Sequence, residues 1–173
     1  MIFSINIAEN SDENKSSFNL LVYQLRWSYT ELNQKNSMAD FIISTNDKQI
    51  IRFICYDITP VTTRAFLHAL PFSRMFLHAR VSGPEIWIDD APALDIPQEN
   101  ASVFAEAGEI IIAPLKPERN KIKKCMGIFY GEGKLVDCGN IFGKVMDEDL
   151  VLLKTLGDKI WKEGMQELTF EKI

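Results

Sequence analysis

The sequence predicts a mainly β domain built as a closed antiparallel barrel of about eight strands with two helices, preceded by an N-terminal extension. Three observations carry this. Short runs rich in β-branched and aromatic residues recur from Phe41 onward, separated by Asn, Asp, Gly and Pro turn signals. Only two stretches of that region repeat apolar residues at helical spacing. Strands so outnumber helices that a parallel sheet, which needs a crossover helix per strand, does not fit.

Residues 1–37 differ in pattern from the rest of the chain. Ile2 to Ile7 suits a short strand and Ser11 to Ser17 a polar loop. Phe18, Leu21, Val22, Leu25, Tyr29 and Leu32 then recur at helical spacing behind caps at Ser16 and Ser17. The barrel domain is expected to span residues 38–173. Phe41 to Ser44 and Gln49 to Tyr56 flank an Asn46-Asp47 turn. Thr59 caps a helix with Pro60 at its first position and an inward stripe of Val61, Ala65, Phe66 and Ala69, ended by Leu70-Pro71. A hairpin runs from Met75 to Asp89. Ala91 to Ala107, interrupted by Pro92 and Pro97, reads as one long loop. Glu109 to Ala113, Lys123 to Tyr130 and Lys134 to Val145 come next as strands, the last broken by Gly139. Asp147 is expected to cap a second helix with Leu150, Val151, Leu153, Leu156, Ile160 and Trp161 inward, stopped by Gly164 before a final strand, Gln166 to Phe170.

Composition narrows the function classes. The chain has 173 residues, 46% hydrophobic and 25% charged, enough for one core without staples. A net charge of -5 is the wrong sign for a partner held by phosphate contacts, so no nucleic acid is expected. The one dense basic run, Lys121-Ile122-Lys123-Lys124, suits a solvated strand edge. No stretch approaches 18 apolar residues and Met1 to Glu9 holds no basic leader, so a cytoplasmic chain without a membrane partner is expected. Cys55, Cys125 and Cys138 form no C-x-x-C pair and read as small buried thiols. With His68 and His78 the only histidines, no metal and no cofactor is expected. His68 itself reads as a partly exposed helix residue. Asp89-Asp90, adjacent on a strand, point to opposite faces and cannot converge on a cation. Ser82 lacks a nucleophile-elbow context, and the glycines form no phosphate-binding pattern.

The hairpin Phe76-Leu77-His78-Ala79-Arg80-Val81-Ser82-Gly83-Pro84-Glu85-Ile86-Trp87-Ile88-Asp89 concentrates the chemistry. An even loop would segregate Leu77, Ala79, Val81, Ile86 and Ile88 on one face. His78, Arg80, Ser82, Glu85, Trp87 and Asp89 would share the other. Arg80 would then oppose Trp87, and His78 would oppose Asp89. Two outcomes remain open for such a face. It is a ligand surface, with Arg80 and His78 taking a carboxylate or carbonyl, Trp87 stacking and Glu85 orienting. Or it is a wall of structural pairs, a guanidinium over an indole contributing about 0.5–2 kcal/mol and a cross-strand charge pair about 0.2–1 kcal/mol.

The order of landmarks resembles a bacterial family of cyclophilin-like proteins of unknown function. The landmarks are Thr59-Pro60, Leu70-Pro71-Phe72, His78-Ala79-Arg80, Ser82-Gly83-Pro84-Glu85-Ile86-Trp87, Glu99-Asn100-Ala101, Ala107-Gly108-Glu109, Leu156-Gly157 and Trp161-Lys162-Glu163-Gly164-Met165-Gln166. The resemblance covers residues 38–173 and implies a closed eight-stranded barrel capped by two helices. It also brings in peptidyl-prolyl cis-trans isomerase as an alternative activity, with Arg80 at a strand position comparable to the isomerase arginine. The chain lacks the Gln-Gly-Gly-Asp stretch of those enzymes. The expected function is therefore binding of a small, anionic organic ligand at the face of the 76–89 hairpin. The candidate ligand residues are His78, Arg80, Glu85, Trp87, Asn100 and Tyr130. The remaining alternative is a non-catalytic interaction or homo-oligomerisation module using the arm at Phe18 to Leu32.

Overall fold

The structure is a computed structural model that describes residues 39–116 and 121–173. The extension, with its expected strand at Ile2–Ile7 and helix from Phe18, lies outside the described residues. Among the described residues nine strands form: β1 (Phe41–Thr45), β2 (Ile50–Cys55), β3 (Phe72–His78), β4 (Glu85–Ile88), β5 (Ala101–Ala105), β6 (Glu109–Ile112), β7 (Met126–Phe129), β8 (Gly133–Val145) and β9 (Gln166–Lys172). Helix α1 (Pro60–Ala69) follows β2, and a 3-10 turn (Asp147–Asp149) leads into α2 (Leu150–Glu163). Every strand pairing is antiparallel. Strands run in the order β2, β1, β9, β3, β4, β7, β6, β8, and β8 returns to pair with β2. The eight-stranded barrel is thus closed, and its interior is just wide enough for side chains to fill. β5 is a ninth strand, added to the outer edge of β8.

Alternation along each strand makes the core. Phe41 and Ile43, Ile51 and Phe53, Ile86 and Ile88, Ile110 and Ile112, and Leu168 and Phe170 all point inward and are buried. Helix α1 adds Phe66, whose ring lies 5.0 Å from Phe41 and 4.7 Å from Phe142. Helix α2 packs on β3 and β4 and adds Leu153, Leu156 and Ile160 to the same core. A second apolar cluster (Ile111, Ile122, Phe129, Leu135 and Ile141 among others) lies on the opposite, outer face of β6, β7 and β8. Both faces of that wall are therefore covered.

The helix ends differ from the expected ones in instructive ways. Thr59 stands at the α1 N-cap, but its side chain makes no capping bond. The Glu99 carboxylate caps the helix from a distance, accepting from the amides of Val61 (3.2 Å) and Thr62 (2.8 Å). Burial works to raise the Glu99 pKa, yet the hydrogen bonds from Thr62 and Val61 prevail and hold it below the ordinary value. Thr62 takes the inward position expected of Val61, which is exposed, because buried Asn140 donates to its hydroxyl at 2.9 Å. Likewise Asp149, not Asp147, precedes α2, and its carboxylate accepts from Arg52 Nε, Nη2 and backbone N, each at 2.8 Å. Of the α2 stripe, Val151 and Trp161 point outward. Gly164 ends the helix at φ 95°, its amide donating to the Ile160 carbonyl. The expected 91–107 loop contains β5, a short edge strand hidden by the prolines before it. The basic run 121–124 is a turn rather than a strand edge. Among the described residues no helix is long and apolar enough to cross a membrane.

Candidate functional site

Register decides which hairpin residues meet. Leu77 pairs with Trp87 and His78 with Ile86, and the Ala79 amide donates to the Glu85 carbonyl at 2.8 Å. The connection from Arg80 to Pro84 is therefore odd, and the even register predicted from apolar segregation is corrected. Leu77, Ala79, Glu85 and Trp87 face outward, while Phe76, His78, Ile86 and Ile88 face inward. Segregation by polarity misled because both faces of β4 are covered, so neither has to be polar. Arg80 lies in the loop, exposed, and Asp89 lies beyond β4, so neither expected cross-strand pair forms. Among the described residues the cation–π contacts join Arg74 to Phe72 and Lys134 to Phe104, not Arg80 to Trp87.

The loop itself is tied down. Gly83 adopts φ 108°, where an L side chain is strained, and a Cβ there would lie 2.9 Å from the Glu132 carbonyl oxygen. The Ser82 and Pro84 carbonyls accept from Lys134 N (2.8 Å) and Tyr130 N (2.9 Å). The hairpin tip is thus fixed to the β7–β8 turn.

Between this outer face and the start of β8 lies a cavity of about 260 Å³. Its walls are Leu77, Ala79, Trp87, Ile111, Ile122, Leu135 and Val136, with Cys125 on one side and Arg80 and Ser82 from the loop. One carboxyl group sits in this apolar wall. Glu85 is only 3% exposed, and burial pushes its pKa up to about 7, against a smaller opposing effect from the Ser82 hydroxyl, which donates to Oε2. Room for the carboxyl comes from Gly127, where a Cβ would fall 2.0 Å from Glu85 Oε1. Burial raises the Cys125 thiol to about 11, helped by the negative charges of Asp89 and Glu85.

His78 points to the other side of the sheet. Its Nδ1 lies 2.6 Å from the Ala79 carbonyl oxygen, which can only accept, so Nδ1 carries the proton. Nε2 then accepts from the Tyr130 hydroxyl at 2.5 Å, and the imidazole lies 4.6 Å from the Trp161 ring on α2. Burial, with a contribution from Asp158, holds the Tyr130 hydroxyl above its ordinary pKa. His78 and Tyr130 therefore form a satisfied pair beneath α2, while Arg80, Glu85 and Trp87 share the outer cavity. His78 borders that cavity without turning its ring to it. Asn100 belongs to neither group. With φ 46° it donates from Nδ2 to the Ile141 carbonyl at 2.8 Å, holding β5 to β8.

Sequence reasoning missed Gly127, Cys125, Ile111 and Leu135 as parts of the site. The signal for Ile111 was present, because Ile110 to Ile112 on β6 is an unbroken apolar run, the mark of a strand buried on both faces. Among the described residues no group of three or more His, Cys, Asp or Glu side chains could hold a metal ion.

Residues 43–172 match a family model described as a protein of unknown function (DUF3830), and the chain belongs to that family. No curated protein matches it. Among solved structures it is similar to McbB, determined in complex with tryptophan, with a TM-score of 0.58 and 16% identity over 76% of this chain and 44% of McbB. The chain thus spans less than half of McbB's length. It is also similar to the hypothetical protein AF2241 from Archaeoglobus fulgidus, with a TM-score of 0.50 and 16% identity over 78% of this chain and 95% of that one. At such identity these likenesses concern the fold.

Proposed function

We propose that this member of a family of unknown function binds a small, largely apolar organic ligand in the cavity outside the β3–β4 hairpin, with an anionic end at Arg80. The observation that carries the reading is the cavity itself. Apolar side chains and an indole line it, and at its border stands a guanidinium with no ion pair among the described residues. An arginine fork free to take a carboxylate in two hydrogen bonds fits that end of the ligand. That McbB was solved with tryptophan agrees loosely with a ligand-binding role for a barrel of this shape. Kinship with cyclophilin-like barrels is part of the same reading. It is supported by the order of landmarks in the sequence and by eight closed antiparallel strands accompanied by two helices. His78 and Tyr130 leave the ligand set in this reading and clamp α2 to the sheet instead.

Calorimetric titration of the full chain with 3-phenylpropanoate tests the proposal. Saturable binding at one site is expected, weakened roughly tenfold by Arg80→Ala, as for loss of one charge-assisted contact near solvent. Equal affinities for the two proteins would remove Arg80 from the site, and absence of saturable binding would sink the reading.

A further inference from the structure

The two oxygens of Glu85 are in unequal positions. Oε2 receives the Ser82 hydroxyl. Oε1 lies over Gly127 and has no hydrogen-bond donor among the described residues. Yet among those residues no side-chain oxygen or nitrogen is both fully buried and without a partner. Oε1 therefore keeps an opening, and Glu85 is one of the residues that line the apolar cavity. Trp87 stands two residues along on the same strand face, so an indole and an open carboxyl oxygen share one wall. A carboxylate oxygen can only accept, and an aromatic face attracts cations.

We propose that the ligand carries an ammonium group that docks on Glu85 Oε1 beside Trp87. This rests on the cavity being the binding site. Combined with an anionic end at Arg80, it makes the ligand an amino acid with an apolar body. The other polar and titratable groups that line the cavity with Glu85 are few. Ser82 and Arg80 come from the hairpin loop, and Cys125 from the segment before β7. His78 borders the cavity from β3 with its ring turned away. β6 and β8 contribute Ile111, Leu135 and Val136, which carry no charge. Glu85 is thus the anionic group of the wall, and an ammonium must meet it in its ionised form.

The test compares three probes of one shape, 2-phenylethylamine, 3-phenylpropanoate and phenylalanine, by calorimetry of the full chain at pH 6 and pH 8. A carboxyl with pKa about 7 is roughly one-tenth ionised at pH 6 and nine-tenths ionised at pH 8. The amine, an ammonium at both pH values, should bind the wild type about tenfold more tightly at pH 8. Glu85→Gln should weaken the amine at least tenfold and flatten its pH dependence, while 3-phenylpropanoate keeps its affinity. Binding of 3-phenylpropanoate without the amine overturns this inference and leaves the cavity reading standing. Amine binding indifferent to pH in the wild type overturns it as well, without reliance on any variant. If none of the three probes binds, the cavity reading falls and takes this inference with it.

Discussion

Replacing Glu85 by glutamine should make the protein more stable at pH 8 and leave it almost unchanged at pH 5. The side chain is 3% exposed and its surroundings are apolar, so the ionised form loses its water without gaining a cation. The unfolded carboxyl ionises near its ordinary value of 4.5 and the folded one near 7. Between those values the folded state holds a proton that the unfolded chain has released. Stability therefore falls as pH rises through this window and reaches its floor above pH 7. At about 1.4 kcal/mol for each tenfold change in proton affinity, the loss is about 3 kcal/mol. Glutamine keeps the shape and an acceptor for Ser82 but carries no proton to lose. The difference in unfolding free energy between Glu85→Gln and wild type, from urea denaturation at pH 5, 6, 7 and 8, should thus climb by about 2.5 kcal/mol in favour of the variant. In melting temperature this is roughly 10 °C. Taking the difference cancels Asp149 and Glu99, whose carboxyls lie below their ordinary values and titrate in more acid solution. Two parallel pH profiles would refute the reasoning, because they would mean that the Glu85 carboxylate is as well solvated folded as unfolded.

Two further predictions test the frame around the site. Asn140 is buried and accepts from Glu99 N (3.0 Å) while donating to Thr62 Oγ1 (2.9 Å) and the Pro97 carbonyl (2.8 Å). Asn140→Ala strands those three partners and should cost about 3 kcal/mol in denaturant unfolding, and a loss below about 1 kcal/mol would show that the network is not what holds α1 to β8. The Cys125 thiol, raised from 9.0 to about 11, should react with iodoacetamide at pH 8 roughly a hundredfold more slowly than a free cysteine, measured by peptide mass spectrometry. Labelling at the free rate would contradict its burial beside Glu85.

Where each element has one wet side, sequence placed the element, though Val61, Val151 and Trp161 turned outward against the expected helix stripes. The Asn46-Asp47 turn, Pro60 opening α1, Gly164 closing α2 and the strands between them all stand in the structure. Legibility failed where two faces are dry. β4 is buried on both sides, so the rule that apolar residues share a face had nothing to act on, and it placed Arg80 over Trp87. β5 was lost because a five-residue edge strand behind Pro97 carries little alternation. The candidate residues divide for the same reason: period 2 assigns faces only once register is known, and the odd loop moves His78 to the side of Tyr130. Gly127 was out of reach altogether. Its purpose is to lack a side chain beneath a carboxyl far earlier in the chain, a relation no local pattern encodes.

The corrected register strengthens the case for a ligand rather than weakening it. Had Arg80 faced Trp87 across the strands, guanidinium and indole would have satisfied each other and the face would have been a wall. Moved into the loop, Arg80 has no ion pair among the described residues, and Trp87 opposes Leu77 on one side and Gly127 on the other. Glu85 meanwhile occupies a position that glutamine or leucine would fill at lower free-energy cost above pH 7. A barrel needing only a seal between β4 and β7 has no use for a carboxyl there, nor for a glycine to accommodate it. A charged end at the cavity's border and an ionisable group in its wall are what an amphoteric ligand requires. On the proposed reading, Glu85 would set which molecules enter, and Arg80 which way round they lie.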